Sequence, residues 1–196
     1  AAGKYSASAG IAANAEAVCI DCVAGTYSTV GLTACINCVA GKYSALTGTA
    51  ANADTVCIGC VAGTYSTDGL SACISCVAGK YSASTGTAAN AESVCIDCVA
   101  GKYSTVGLGA CINCVAGKYS ASAGTAANAE SVCIDCVAGT YSTAGLTACI
   151  NCVAGKYSAS AGTAANAESV CIDCVAGTYS TAGLSACIAC VAGKFS

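Results

Sequence analysis

The spacing of the cysteines restricts the fold of this chain more than any other feature. Ten C-x-x-C motifs follow one another at alternating steps of 16 and 22 residues, as from Cys19 to Cys35 and from Cys35 to Cys57. The chain is therefore a tandem repeat with a period of 38 residues. We divide it into a partial repeat, four repeats and a second partial repeat, at 1–18, 19–56, 57–94, 95–132, 133–170 and 171–196.

Each period contains a short loop and a long loop. The short loop has the form CVAGTYSTAGLTAC (136–149) and the long loop the form CVAGKYSASAGTAANAESVC (152–171). Both begin V-A-G-x-Y-S, and glycine between Val and Tyr predicts a turn followed by a short extended segment. A second glycine predicts another turn, so each loop is predicted to be a small hairpin. The TAANAES run of the long loop is predicted to form one helical turn.

A repeat of this composition has too few large apolar side chains to fold alone, because units of this size need disulfides, metal or neighbouring units. Twenty cysteines among 196 residues is typical of an extracellular disulfide scaffold. A disulfide that closes such a loop stabilises the fold by roughly 3 kcal/mol through the unfolded state. We predict small disulfide-rich β-hairpin and loop units in a tandem repeat, forming an elongated rod or superhelical solenoid with little regular secondary structure.

Two other uses of the cysteine pairs were weighed against structural disulfides. The spacing of Cys19, Cys22, Cys35 and Cys38 matches a tetrathiolate zinc site. Such sites need a reducing compartment, and the loops lack the polar and basic residues that zinc modules use on partners. A thioredoxin-like dithiol needs a single pair at the start of a helix, whereas this chain repeats the pair ten times. Structural disulfides are the favoured interpretation.

Composition argues against catalysis and against several partners. The chain has no His, so no Ser-His-Asp or Cys-His arrangement exists, and we predict no catalytic site, metal or cofactor. The acidic residues recur without a distinct partner and are interpreted as solvated charges, with weak pairing at most to the lysines of GKYS. A net charge of −3 provides no basic patch for nucleic acid. Charged residues and Ser/Thr clusters interrupt every apolar window, so no segment is expected to insert into a membrane.

One aromatic ring recurs in each loop. Two roles fit these rings: together they could form a ladder that binds ligands or glycans, or each ring could cover a neighbouring disulfide. We favour packing on disulfides for Tyr27, Tyr43, Tyr65, Tyr81, Tyr103, Tyr119, Tyr141, Tyr157 and Tyr179.

The pattern C-x-x-C-x-x-G-x-Y-S…G…C resembles the cysteine-rich repeats named for ephrin receptors. The segment NADTVCIGC (52–60) is also similar to tumour necrosis factor receptor cysteine-rich modules. In those modules the second Cys of each C-x-x-C closes the loop ahead and the first closes the loop behind. The resemblance implies a ladder that leaves Cys19 and Cys190 to partners outside this sequence. Its pairs are Cys22–Cys35, Cys38–Cys57, Cys60–Cys73, Cys76–Cys95, Cys98–Cys111, Cys114–Cys133, Cys136–Cys149, Cys152–Cys171 and Cys174–Cys187. A crossed pattern, with Cys19–Cys35 and Cys22–Cys38, remains the alternative.

The resemblance also implies a secreted or cell-surface protein. We expect the shaft of an extracellular filament or stalk, in which identical units favour self-association. The alternative is a receptor or adhesin ectodomain with multivalent binding of a ligand or glycan. Ser and Thr are expected to keep the surface hydrated and to accept O-linked sugars, whereas no Asn begins an N-x-S/T sequon.

Overall fold

The structure is a computed structural model that describes residues 2–7, 18–48, 53–85, 94–123, 129–161 and 170–194. Among these residues it contains two four-residue helices, α1 (Ala53–Val56) and α2 (Ala129–Val132), and twenty two-residue strands. The strands, β1 to β20 in order, are Lys4–Tyr5, Ile20–Asp21, Thr26–Tyr27, Ile36–Asn37, Lys42–Tyr43, Ile58–Gly59, Thr64–Tyr65, Ile74–Ser75, Lys80–Tyr81, Ile96–Asp97, Lys102–Tyr103, Ile112–Asn113, Lys118–Tyr119, Ile134–Asp135, Thr140–Tyr141, Ile150–Asn151, Lys156–Tyr157, Ile172–Asp173, Thr178–Tyr179 and Ile188–Ala189.

Consecutive strands pair into two-stranded sheets, β1 with β2, β3 with β4 and so on to β19 with β20. The pairing is antiparallel, and the Tyr of the first strand lies opposite the Ile of the second, as in Tyr27 with Ile36 and Tyr43 with Ile58. The first strand follows the V-A-G turn and the second follows the closing cysteine, so each hairpin encloses one cysteine loop. The predicted fold of disulfide-rich hairpin units in a 38-residue tandem repeat is confirmed.

The V-A-G-x turn sets the direction of each first strand. In the first short loop, Gly25 has a φ of 86° and the Thr26 N–H donates to the Val23 carbonyl at 3.1 Å. A glycine with positive φ at the third position and this closing bond are the features of a type II turn. The Thr26 hydroxyl donates to the same carbonyl at 2.8 Å, which holds the turn from its side chain as well.

The two helices lie immediately before the closing cysteine of a long loop and end at Val56 and Val132. The predicted helical turn in TAANAES is thus present at 129–132, at the end of that run. The remainder of this run (125–128) and the copies at 87–93 and 163–169 lie outside the described residues. Both valines are buried, so the turn brings an apolar side chain onto the disulfide that follows it.

The described contacts divide the chain into two compact units. One comprises Ala1–Val77, Tyr81–Ile96 and Val106–Ala110, and the other Ala78–Lys80, Asp97–Thr105 and Cys111–Ser196. In each unit the buried side chains are cysteines, the Val before the closing cysteine of the long loop, and the Ser of V-A-G-x-Y-S. No helix within the described ranges has the length and apolar character required to cross a bilayer.

Candidate functional site

Disulfides close the hairpin loops throughout the described chain. Nine are present, from Cys22–Cys35 to Cys174–Cys187, and they are the pairs of the ladder that the receptor resemblance implies. Their Cα–Cα distances of 5.5 to 5.8 Å lie in the usual range for disulfides. The crossed alternative requires Cys22 to bond Cys38, whereas Cys22 bonds Cys35. Cys19 and Cys190 carry no disulfide within this chain and are partly exposed, so a partner outside this sequence stays a prediction for both.

Three tyrosines pack against the disulfides of the long loops that follow them. Tyr27 contacts the buried cluster of Cys38, Val56 and Cys57. Tyr103 and Tyr141 lie two and three repeats after Tyr27 and make the same contact with the clusters at Cys114–Cys133 and Cys152–Cys171. Packing on a disulfide stays a prediction for the remaining six tyrosines of the series.

The Ser of V-A-G-x-Y-S is buried, whereas the sequence analysis expects the hydroxyls of this chain to keep the surface hydrated. In the short loops this hydroxyl donates to the carbonyl of the Lys 24 residues earlier, as from Ser142 to Lys118 at 2.8 Å. In three long loops, at Ser44, Ser120 and Ser158, it donates to the carbonyl two residues on, as from Ser158 to Ser160 at 3.2 Å. The expectation was wrong for this position, because eight of the nine buried hydroxyls donate to a backbone carbonyl; the ninth, that of Ser82, has no hydrogen-bond partner among the described residues. The buried serines are Ser28, Ser44, Ser66, Ser82, Ser104, Ser120, Ser142, Ser158 and Ser180.

Backbone hydrogen bonds join each hairpin to the next. The Gly139 N–H donates to the Ser158 carbonyl at 2.7 Å, and the Gly139 carbonyl accepts the Cys152 N–H at 2.9 Å. The same two bonds recur at the V-A-G turns of Gly3, Gly25, Gly41, Gly63, Gly79, Gly101, Gly117 and Gly155. One glycine therefore binds two points of the following hairpin through both of its backbone polar groups, at every turn in this series.

Short loops of neighbouring repeats also approach each other closely. A Cβ atom added to Gly139 would lie 2.1 Å from the carbonyl oxygen of Gly183, the second glycine of the next short loop. The pairs Gly25 with Gly69, Gly63 with Gly107 and Gly101 with Gly145 are equally close. Any side chain at these turns would separate the two loops. This contact joins residues 44 positions apart and has no counterpart in the local sequence pattern.

Four Lys–Asp pairs cross the hairpins of the long loops. The lysine nitrogen lies 2.6 to 2.7 Å from the Asp carboxylate in Lys4–Asp21, Lys80–Asp97, Lys118–Asp135 and Lys156–Asp173. The weak pairing with the GKYS lysines that the sequence analysis allows is present at these aspartates, which are therefore not wholly solvated; the antiparallel register places the residue after Ile directly opposite the Lys. The pairs are largely exposed, so each contributes about 0.2–1 kcal/mol.

An exposed apolar surface recurs at every C-I-x-C-V motif. The Ile side chains are 43–54% exposed and the Val side chains 61–73% exposed. We call these residues the Ile–Val surface: Ile20, Val23, Ile36, Val39, Ile58, Val61, Ile74, Val77, Ile96, Val99, Ile112, Val115, Ile134, Val137, Ile150, Val153, Ile172, Val175, Ile188 and Val191. Exposed apolar side chains that lie together in a patch mark association sites, so we treat the Ile–Val surface as the candidate contact.

The disulfides also bear on the zinc interpretation of the cysteine pairs. Disulfides occupy the thiols that a zinc site would need, and no group of three or more His, Cys, Asp and Glu side chains suited to a metal occurs within the described ranges. The recurring candidate for function is the Ile–Val surface, carried by hairpins joined through identical backbone bonds. Neither a protein-family model nor a curated protein matches the sequence.

Proposed function

We propose that this chain is a shaft segment of an extracellular or cell-surface filament or stalk, with no catalytic role. The observation that carries the proposal is the recurrence of the same glycine-centred hydrogen bonds from each hairpin to the next. When every unit joins the next through the same contact, each added unit has the same neighbours as the others. Repeat proteins build spacers in this way. The resemblance to receptor-type cysteine-rich repeats supports the same class of protein.

The disulfides support the location. Nine disulfides in one chain indicate an oxidising environment, because cytosolic thiols are kept reduced. Secretion or display at the cell surface provides that environment. Exposed threonines that follow the buried Ser, at Thr29, Thr67, Thr105, Thr143 and Thr181, are the proposed positions for O-linked glycans.

The Ile–Val surface is the proposed contact between copies of this chain. Full burial of an exposed Val or Ile yields about 1.5–3 kcal/mol, so these half-exposed groups gain about 1 kcal/mol each. Two Ile and two Val per period provide about 4 kcal/mol before the costs of association. A second copy is the favoured occupant because its own surface recurs at the same 38-residue interval and meets the first at every period.

Sedimentation velocity and electron microscopy of the oxidised chain test this function. We expect assemblies whose mass rises with protein concentration and which are elongated in the micrographs. Lys replacing Val99, Val137 and Val175 should abolish assembly.

The matched control variant carries Lys at Thr105, Thr143 and Thr181, which lie in the same repeats and are exposed but outside the Ile–Val surface. This variant should assemble as the unmodified chain does. A chain that stays monomeric at every concentration, or two variants that behave alike, would contradict the proposal. A monomer that binds a glycan-coated surface with avidity would favour the receptor or adhesin alternative.

A further inference from the structure

The two kinds of disulfide differ in how well their cysteines are covered. Each of the four long-loop disulfides joins two buried cysteines, whereas the second cysteine of every short loop is partly exposed. In the long loop, Cys38 and Cys57 are 1% and 4% exposed, and Tyr27 packs against their cluster. In the short loop that follows, Cys60 is 2% exposed but its partner Cys73 is only partly covered. The Cys60–Cys73 disulfide is therefore open to solvent from the side of Cys73.

A pocket of about 270 Å³ opens against Cys73. Tyr43 and Ile58, which are opposite each other in the hairpin of β5 and β6, supply apolar walls together with Val61 and Ala72. This volume is slightly below the range of 300–1,000 Å³ typical of ligand sites, so it suits a single ring. The pocket thus places a small apolar cavity directly beside a disulfide.

We propose that this pocket is a site of thiol–disulfide exchange for a small thiol that carries an apolar ring. The thiolate of the ligand attacks the sulfur of Cys73, because Cys73 borders the pocket and Cys60 is buried. A disulfide forms between the ligand and Cys73, the Cys60–Cys73 bond breaks, and Cys60 leaves as a thiolate that takes a proton from water. The ligand sulfur is oxidised and the Cys60 sulfur is reduced, so the step needs no other oxidant or reductant.

The apolar walls favour the product of this exchange. The ring of the attached ligand lies against Tyr43, Ile58 and Val61, and its burial opposes the reverse attack by Cys60. A thiol without a ring gains nothing from these walls. The inference stands apart from the filament proposal, because the pocket and the disulfide lie within one chain.

Benzyl mercaptan is the probe, and 2-mercaptoethanol is its counterpart of similar thiol acidity without a ring. Free thiols of the oxidised chain are first blocked, and the chain is diluted until it sediments as a monomer, because Ile58 and Val61 belong to the Ile–Val surface. Timed samples are quenched with N-ethylmaleimide, denatured, reduced and labelled with iodoacetamide, so that the maleimide marks each cysteine that the probe releases. We expect maleimide at Cys60 about tenfold sooner than at Cys38 or Cys57. Release of Cys60 should be about fivefold faster with benzyl mercaptan than with 2-mercaptoethanol.

Two variants test the pocket itself. Ala72→Leu places a larger side chain in the pocket and should slow the release of Cys60 by benzyl mercaptan about tenfold. Ala148→Leu, at the same position of the short loop 136–149, is the matched control and should leave this rate unchanged.

Four results would each overturn the proposal. They are maleimide on Cys73 rather than on Cys60, release of Cys38 or Cys57 as fast as that of Cys60, equal rates with the two thiols, and equal rates in the two variants.

Discussion

Replacing Gly139 by Ala should destabilise the contact between successive repeats far more than the same change at Gly177. The two glycines occupy the same place in CVAGTYSTAGL and have nearly the same φ, 85° and 84°. A Cβ at Gly139 would lie 2.1 Å from the Gly183 oxygen, whereas a Cβ at Gly177 would have no atom within 4 Å. The difference between the two variants therefore isolates the contact between short loops from the backbone cost of positive φ.

The loss of stability expected for each variant follows from these contacts. Alanine at positive φ costs roughly 1–2 kcal/mol at either position. At Gly139 the loops must also separate, which disturbs the Gly183 N–H bond to the Cys152 carbonyl and the Cys152 N–H bond to the Gly139 carbonyl, both 2.9 Å long. Each such bond is worth about 0.5–1.5 kcal/mol. We expect a loss of about 2–5 kcal/mol for Gly139→Ala and about 1–2 kcal/mol for Gly177→Ala.

Hydrogen exchange measured by mass spectrometry on the oxidised chain is the suitable assay, because repeat proteins open locally before they unfold globally. The added loss of about 1–3 kcal/mol from the two bonds corresponds to exchange about 5- to 150-fold faster at the Cys152 and Gly183 amides of Gly139→Ala. The same amides of Gly177→Ala should exchange at the rate of the unmodified chain. Equal acceleration in both variants would refute the reasoning, since it would show that the approach of the loops contributes nothing.

Three further predictions concern other contacts of the repeat. Ser142→Ala should reduce stability in guanidinium unfolding by about 1 kcal/mol, because it leaves the part-buried Lys118 carbonyl without its donor. Thr143→Ala at the exposed neighbouring position should change stability by less than about 0.5 kcal/mol. Asp135→Asn should cost about 0.2–1 kcal/mol of stability in the same assay. This loss should shrink in 1 M salt, where the Debye length is only about 3 Å and exposed charges are screened. Excess reductant should remove the cooperative unfolding transition seen by near-ultraviolet circular dichroism, because roughly 3 kcal/mol of stability per disulfide is then lost. A transition that persists in reductant would show that contacts other than the disulfides stabilise the fold.

Local patterns were sufficient to predict the hairpin units. The position of glycine in V-A-G-x predicted a turn, and Gly25 has the positive φ that such a turn requires. The 16/22 alternation predicted two kinds of loop, and both are closed by disulfides in the structure. These features depend on residues close in sequence, so the pattern carries the necessary information.

The sequence pattern did not predict the contacts between hairpins. The approach of Gly139 to Gly183 depends on how one repeat is placed on the next, which no local propensity specifies. The burial of Ser142 depends on the same placement, although a signal for it existed: Ser is retained in every V-A-G-x-Y-S while the following residue alternates between Ala and Thr. The Lys118–Asp135 pair required the strand register, which the loop lengths alone do not fix.

Tryptic digestion without reduction tests the disulfide ladder, on which this description of the repeat depends. Free thiols are alkylated first, the chain is denatured, and the products are separated by mass. The cleavage sites are the seven lysines at positions 4, 42, 80, 102, 118, 156 and 194. In the ladder, a disulfide spans each of the five inner sites, as Cys38–Cys57 spans Lys42 and Cys152–Cys171 spans Lys156.

The ladder therefore predicts one covalently linked species that covers residues 5–194 and falls apart into six peptides only after reduction. The crossed pattern would bridge only the site at Lys102, and the unreduced digest would release five separate pieces. A single species of the full mass is the result that we predict, and release of separate 5–42 and 43–80 fragments before reduction would contradict the ladder.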